Sequence, residues 1–391
     1  MTETIDIQVA ALSSRSRSAV SSIWDNLVQP EARPGEVPWH GDGVTADWST
    51  AVFATQYPEA KATDVARIGG DNGSSARRII EVAWNAAGQA AGLPVRLFTK
   101  STPALAMRLS AGRAAPAEGQ FLLQLRPHVD IEAPRCLFSE RDANSGRSMH
   151  LMHDLTQTRG AEFCRAHSVI DLEQAQQVID TIATLHGTFL DGVTGHDTSF
   201  LRTYESFFHA TVRNGLEAMH DAAMERARDV IPPRVSAQRA HSWRMAEASL
   251  ALHSQSPRTV IHSDVHLGNW YITRDGVMGL SDWARVCRGH WGRDLAYALM
   301  TVLDIPDRRA WEHELIARYC AKFSEVSGQS VTLADAWRAY KQLAPLALLM
   351  WTPTLCPPPT LPDMQPESTS MEMIRRITAA MDDHDVLSIA Y

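Results

Sequence analysis

Residues 259–286 read TVIHSDVHLGNWYITRDGVMGLSDWARV, and the rest of the architecture is best approached from there. Apolar strand formers flank the turn Arg274, Asp275, Gly276, so NWYIT is expected to pair with VMGLS as a tight hairpin. Polar residues bracket it: Asp264 and Asn269 precede the first strand and Asp282 closes the second. A hairpin returns its ends to one place, so Asn269 and Asp282 should lie side by side, with Asp264 in the loop just before them. Two carboxylates and an amide converge.

Two more features bear on what such a cluster binds. One is a glycine- and serine-bearing loop, GGDNGSS (69–75); the other is Lys100, at the end of the strand VRLFTK (95–100). A nucleoside triphosphate accounts for all of these groups together. A bare carboxylate about 4 Å from one phosphate charge costs about 4 kcal/mol at an effective dielectric near 20, so the two aspartates alone would repel it. A bridging divalent cation reverses that sign. Magnesium prefers carboxylate, carbonyl and phosphate oxygens, which makes Asn269 and Asp282 the expected ligands.

On the N-terminal side, residues 1–39 are Ser-rich and end near PEARPGEVP, a run that cannot continue a regular element; they are expected to form an arm. Residues 40–154 mix strand signals with glycine turns. In RRIIEVAW, Ile80, Val82 and Trp84 share one strand face, and CLFSE and RSMHLM flank the turn-rich DANSG as a second hairpin. A helical stretch restarts at Pro116 and sets Glu118, Phe121, Leu122 and Leu125 on one face. Residues 155–391 turn helical. DLEQAQQVIDTIATLHGTFL opens with the capping pair Asp171 and Gln174, and further helices are expected over 201–230, 236–253, 308–327, 333–351 and 368–381, with a proline-rich loop before the last.

The 391 residues are 45% hydrophobic and 21% charged, with 37 basic against 45 acidic side chains, giving −8. That balance argues against a nucleic-acid or anionic-membrane partner bound through global charge. The five cysteines are scattered without ligand-like spacing, and Glu3 and Asp6 stand where a signal peptide would be positive, so a cytoplasmic, reduced protein is expected. The longest apolar run, Leu343–Trp351, is far below the roughly 20 residues of a membrane helix.

HSDVHLGN has the HxDxxxxN spacing of kinase-like catalytic loops, and SDW follows the hairpin where their metal-binding aspartate stands. Together with SDWARVCRGHWGRDLAYAL, it resembles the aminoglycoside phosphotransferase superfamily, particularly its ecdysteroid-kinase-like and choline-kinase-like branch. The resemblance implies a two-lobed, protein-kinase-like α+β fold, with a small antiparallel-sheet N-lobe carrying one main helix and a larger, mostly helical C-lobe. It implies ATP and Mg2+ as cofactors and a hydroxyl-bearing small molecule as acceptor. Asp264 would be the catalytic aspartate, with Asn269 assisting it, and Asn269 and Asp282 would hold the metal. Lys100 would contact the α and β phosphates and pair with Glu118; Gly73, Ser74 and Ser75 would supply the phosphate loop. Met152, His153, Asp154 and Leu155 would form the hinge facing adenine, and Asp294 would cap a helix under the catalytic loop. Ser263 stands where the family commonly has glycine.

Other readings exist. Asp and Asn also serve as plain turn caps. His262 and His266 with Asp264 could suggest a metal-dependent hydrolase, although zinc needs three ligands and an open position. A pseudokinase would keep the fold without turnover. For the acceptor, the apolar stretches lean toward a hydroxylated apolar molecule, whereas Glu205, Glu217, Asp221 and Glu225 could form an acidic set suited to an aminoglycoside.

Overall fold

The computed structural model describes residues 31–72, 75–102, 115–143, 145–212, 215–255, 257–357 and 364–389. The chain divides into two compact units, one of residues 1–123 and 135–158, the other of residues 124–134 and 159–391.

The first unit is a five-stranded antiparallel sheet, ordered β1-β2-β3-β5-β4. Its strands are β1 (Ala62–Asn72), β2 (Ala76–Trp84), β3 (Arg96–Ser101), β4 (Cys136–Arg141) and β5 (Ser148–His153). Along β2 the buried positions alternate as expected, with Ile80, Val82 and Trp84 in the core beside Leu97, Met149 and Leu151. Helix α1 (Ala46–Phe53) is capped by Thr45, whose hydroxyl accepts from Trp48 N–H, and buries Trp48 and Phe53 in the same core. Ala32 and Val37 belong to this core as well. Residues 31–39, expected as the end of a free arm, therefore pack on the sheet, because their apolar side chains have a face to bury.

Strand β1 was not legible as one strand. Its register shifts between Arg67 and Gly69, which breaks the period-two alternation, and Gly69 to Asn72 of the expected glycine-rich loop are strand residues. Gly70 sits at φ +127°, and a Cβ there would meet the Arg77 carbonyl at 2.1 Å. Gly73 and Ser74 lie outside the described residues; Ser75 is a half-buried bend.

The second unit is mostly helical. Helix α3 (Leu172–Thr188) has the full capping box of Asp171 and Gln174 and buries Val178, Ile179, Ile182 and Leu185. It packs on α8 (Ile305–Ser327), while α9 (Leu333–Leu355) packs on α6 (Arg239–Ser249), α7 (Gly292–Val302) and α10 (Glu367–Asp383). The stretch expected as one helix over 201–230 is two, α4 (Tyr204–Val212) and α5 (Leu216–Arg226), separated near Gly215 at φ +83°. Helix α9 runs through Pro345 and Pro353 into the expected proline-rich loop, held by its buried Trp351, Thr352 and Leu355. Helix α7 buries all of its residues, its polar Arg293 and Asp294 included. Among the described residues, no helix is long and apolar enough to cross a membrane.

Within this unit, β6 (Glu162–Phe163), β8 (Trp270–Ile272) and β9 (Met278–Leu280) form one small sheet, and β7 (Thr259–Ile261) pairs with β10 (Cys287–Gly289). The β8–β9 hairpin is the one expected from the sequence, with Gly276 at φ +78° in its turn.

Candidate active site

In the first unit, Lys100 points from β3 toward α2 (Ala115–Gln120), the helix that carries Glu118. Lys100 Nζ lies 2.9 Å from Glu118 Oε1 and 2.8 Å from Oε2, and both side chains are nearly buried. Such a pair is costly to form and costlier to break, so it holds both groups in one geometry. The close approach depends on Gly119, where a Cβ would lie 1.8 Å from Ser139 Oγ on β4. His150, opposite Lys100 across β3 and β5, is bonded to Ser139 Oγ at 2.8 Å and lies 3.8 Å from Glu118 Oε2.

The expected hinge residues lie at the end of β5. Met152 is buried, and His153 N–H donates to the Arg135 carbonyl. Burial and the Arg135 charge push the His153 imidazole below its ordinary pKa. The Asp154 side chain is occupied: it pairs with Arg96 at 2.8 Å and accepts from the backbone and hydroxyl of Thr156 at 2.9 and 2.7 Å. Leu155 begins a single helical turn after it.

In the second unit, the catalytic-loop sequence follows β7. His262 and Ser263 N–H donate to Asp294 Oδ2 and Oδ1 at 2.6 and 2.9 Å, so Asp294, in the first turn of α7, suspends the loop rather than capping its own helix. The expectation of a helix cap is corrected accordingly: two backbone donors reach the carboxylate from outside the helix. Burial raises the Asp294 pKa, but the hydrogen bond and charge of His186, with the charges of His262 and Arg293, outweigh it and leave the group lowered. Ser263 sits at φ +68°, which explains why glycine suits this position.

Asp264 is oriented from several sides. Tyr297 OH, on α7, donates to Oδ1 at 3.2 Å; His266 Nε2 lies 3.9 Å from Oδ1 and Arg285 Nε 3.6 Å from Oδ2. Asn269 Nδ2 donates to the Asp264 carbonyl at 2.7 Å, which leaves Oδ1 as the amide atom suited to a cation. The Asn269 carbonyl accepts from Ser281 N–H and Oγ, each at 2.8 Å, so the residue before Asp282 is fastened to Asn269. Asp282 itself adopts φ +57° and accepts from Ala284 N–H. Through Asn269 the loop that carries Asp264 is tied to Ser281, the neighbour of Asp282.

The histidines are spent on structure. His262 Nδ1 accepts from Asp264 N–H at 3.2 Å and its Nε2 donates to the Ser281 carbonyl at 2.9 Å, bracing both ends of the hairpin. His266 Nδ1 accepts from Gly268 N–H at 3.1 Å, and burial lowers its pKa. Among the described residues, no three His, Cys, Asp or Glu side chains group as a metal cage.

Residues 91–342, well over half of the chain, match the phosphotransferase enzyme family APH. The chain belongs to that family. It resembles the solved aminoglycoside phosphotransferase APH(3'')-Id of Streptomyces rimosus ATCC10970 at 17% identity, over 72% of this chain and 92% of that one, with a TM-score of 0.40. A microcompartment-associated aminopropanol kinase is 14% identical over 86% and 96%, with a TM-score of 0.48. Choline kinase from Cryptosporidium parvum Iowa II is 10% identical over 83% and 91%, with a TM-score of 0.49. No curated protein sequence matches significantly. As an APH-family phosphotransferase, the protein has the expected α+β organisation, with an antiparallel sheet first and helices after. The hydrolase alternative loses its support, since both nitrogens of His262 are engaged.

Tyr297, Arg285, Gly119 and His150 were not singled out from sequence. A signal existed for Tyr297, which lies three residues after Asp294 and therefore on the same face of α7.

Proposed function

We propose that this phosphotransferase moves the γ-phosphoryl group of ATP to a hydroxyl of a small molecule. The observation that carries the reading is the clamp in which Asn269 holds the Asp264 carbonyl with its side chain and Ser281 with its backbone. Asp264 accepts a hydrogen bond from the acceptor hydroxyl and aims its oxygen at the γ-phosphorus. As that oxygen–phosphorus bond forms, the proton passes to Asp264, and the bond from phosphorus to the β,γ-bridging oxygen breaks, releasing ADP.

Asn269, through Oδ1, and Asp282 offer the oxygen donors that Mg2+ prefers. That ion, when bound, neutralises phosphate charge at the transferring group. Lys100, aimed by Glu118, receives the α and β phosphates, with Gly73, Ser74 and Ser75 assigned to the phosphates as well. Backbone groups of Met152–Leu155 receive adenine. The five free cysteines fit work in the cytoplasm.

The test is a panel of hydroxylated compounds with γ-labelled ATP and Mg2+, following label and product mass. Asp264→Ala should lower transfer by about 10² to 10⁴. Transfer at the normal rate by that variant would overturn the assigned base, and an ATP-dependent thermal shift with every acceptor unlabelled would favour a binding module without turnover.

A further inference from the structure

The charges around Asp264 are arranged for an acceptor of a particular sign. The acidic residues that could have welcomed a polycation are largely neutralised by arginines. Glu205 pairs with Arg258 at 2.9 Å, Glu225 with Arg239 at 2.6 Å, and Asp221 with the same Arg239 at 3.3 Å. Of that set, only Glu217 stands exposed without an ion pair.

The opposite holds for two arginines. The Arg202 and Arg285 guanidinium carbons lie 4.5 and 5.3 Å from the centre of one ring, Phe207 on α4. Among the described residues, Arg202 forms no ion pair with a carboxylate, and its Nε is buried without a hydrogen-bond partner. Burial, and then the Arg285 charge, outweigh the influence of Cys287 and hold Arg202 below its ordinary pKa. Arg285 Nε lies 3.6 Å from Asp264 Oδ2, and its side chain is 35% exposed.

The location of this pair follows from the backbone. The Arg202 carbonyl accepts from Arg288 N–H at 2.9 Å, which fixes it to β10, and β10 pairs with β7, the strand that leads into the catalytic loop. Two like charges beside one aromatic ring repel each other, as the effect of Arg285 on Arg202 shows, and the ring offsets only part of that repulsion. An anion bridging them removes it, and guanidinium groups match carboxylate and phosphate geometry.

We propose that the acceptor is itself an anion, a hydroxyl compound bearing a carboxylate or phosphate group that Arg285 and Arg202 hold while its hydroxyl meets Asp264. The inference rests on the reading of Asp264 as the base.

The experiment offers the wild-type protein matched pairs with γ-labelled ATP and Mg2+: hydroxy acids against their amides, phosphorylated alcohols against their unphosphorylated parents, and an aminoglycoside. The expected result is a preference of at least about tenfold in kcat/KM for the anionic member, and the two pair types show whether carboxylate or phosphate is preferred. Arg202→Gln should raise the acceptor KM by about tenfold or more with KM for ATP unchanged, while Arg202→Lys, which keeps the charge, retains most of the preference. Preference for the neutral twin or the aminoglycoside overturns the inference. So does an Arg202→Gln protein in which KM rises for ATP and not for the acceptor, since the arginines would then serve the nucleotide. Asp264→Asn separates the two levels: an inactive variant alongside a neutral preference removes only the acceptor charge, and a fully active one removes the assigned base.

Discussion

The side-chain amide of Asn269 donates to the backbone carbonyl of Asp264 at 2.7 Å, and the Asn269 carbonyl receives Ser281 N–H at 2.8 Å. One residue therefore fixes the loop that carries Asp264 and the strand end that leads to Asp282. Asn269→Ala removes both the donor and the proposed metal oxygen, and should lower transfer by about 10² or more. Asn269→Asp keeps the size but sets a carboxylate against a carbonyl oxygen, so it should also be impaired. Label transfer measured across a Mg2+ titration checks this; a normal rate at normal Mg2+ in either variant would break the assignment.

The Lys100–Glu118 pair depends on Gly119, which carries no side chain of its own. A Cβ at Gly119 would meet Ser139 Oγ at 1.8 Å and Ser139 Cβ at 2.9 Å, so Gly119→Ala makes the Ser139 hydroxyl rotate away and α2 shift, loosening Glu118 from Lys100. The overpacking should cost about 1–3 kcal/mol of stability, with KM for ATP raised about tenfold. Adding Ser139→Gly makes room and should restore much of both. Thermal melting and ATP saturation curves decide it; an unchanged KM in Gly119→Ala would show that the helix position is immaterial.

The cluster proposed as base and metal ligands was legible because it is local. Asp264, Asn269 and Asp282 sit on one loop and one hairpin, whose turn and alternation are written in adjacent residues. The Lys100–Glu118 pair joins separate elements and came only from resemblance. Tyr297 was hidden because its partner Asp264 lies on a separate element brought to α7 by tertiary packing, although Asp294 marked the right face. The glycine-rich loop was drawn too long because a register shift in β1 broke the alternation that would have revealed a strand. The neutralised acidic set was invisible for another reason: a carboxylate's partner, such as Arg258 for Glu205, is set by tertiary packing rather than by neighbouring sequence.

Acid should destabilise the helical unit through buried neutral histidines. His220 on α5 is bonded to Ser242 Oγ at 3.0 Å and Thr352 Oγ1 at 3.3 Å, and burial lowers its pKa to about 4 despite Asp221 and the Arg239 carbonyl. His290 Nδ1 accepts from Gly292 N–H, and burial, then the His186 charge, lower it to about 4 as well. Above the unfolded value of about 6.5 both states are neutral and the stability is complete. As pH falls from there toward 4, the unfolded chain takes up protons that the folded one refuses, at a cost of roughly 3 kcal/mol for each histidine by pH 4. The melting temperature should fall across that window, and His220→Gln, which keeps a hydrogen-bonding side chain, should reduce proton uptake on unfolding by about one. Equal uptake in both proteins would show that His220 does not resist protonation.

Tyr297 links Asp264 to a buried cation. Its hydroxyl donates to Asp264 Oδ1 at 3.2 Å, while the Arg293 guanidinium carbon lies 4.4 Å from its ring centre and Arg293 Nε donates to Tyr204 OH at 3.2 Å. Burial first, and then the Asp264 charge, raise the Tyr297 hydroxyl well above its ordinary pKa, so it remains a donor throughout the working range. Tyr297→Phe deletes the donor but keeps the ring over Arg293, so the fold should survive. A hydrogen bond to a charged group is worth about 1.5–3 kcal/mol, so kcat should fall by about tenfold or more with KM for ATP unchanged. Tyr297→Leu also strips the ring from a fully buried guanidinium whose terminal nitrogens have no hydrogen-bond partner, and should lower the melting temperature as well. In an Asp264→Asn background Tyr297→Phe should add little, because its effect runs through the carboxylate it orients. A full additional loss there would mean that the tyrosine acts on the reaction by some route other than Asp264.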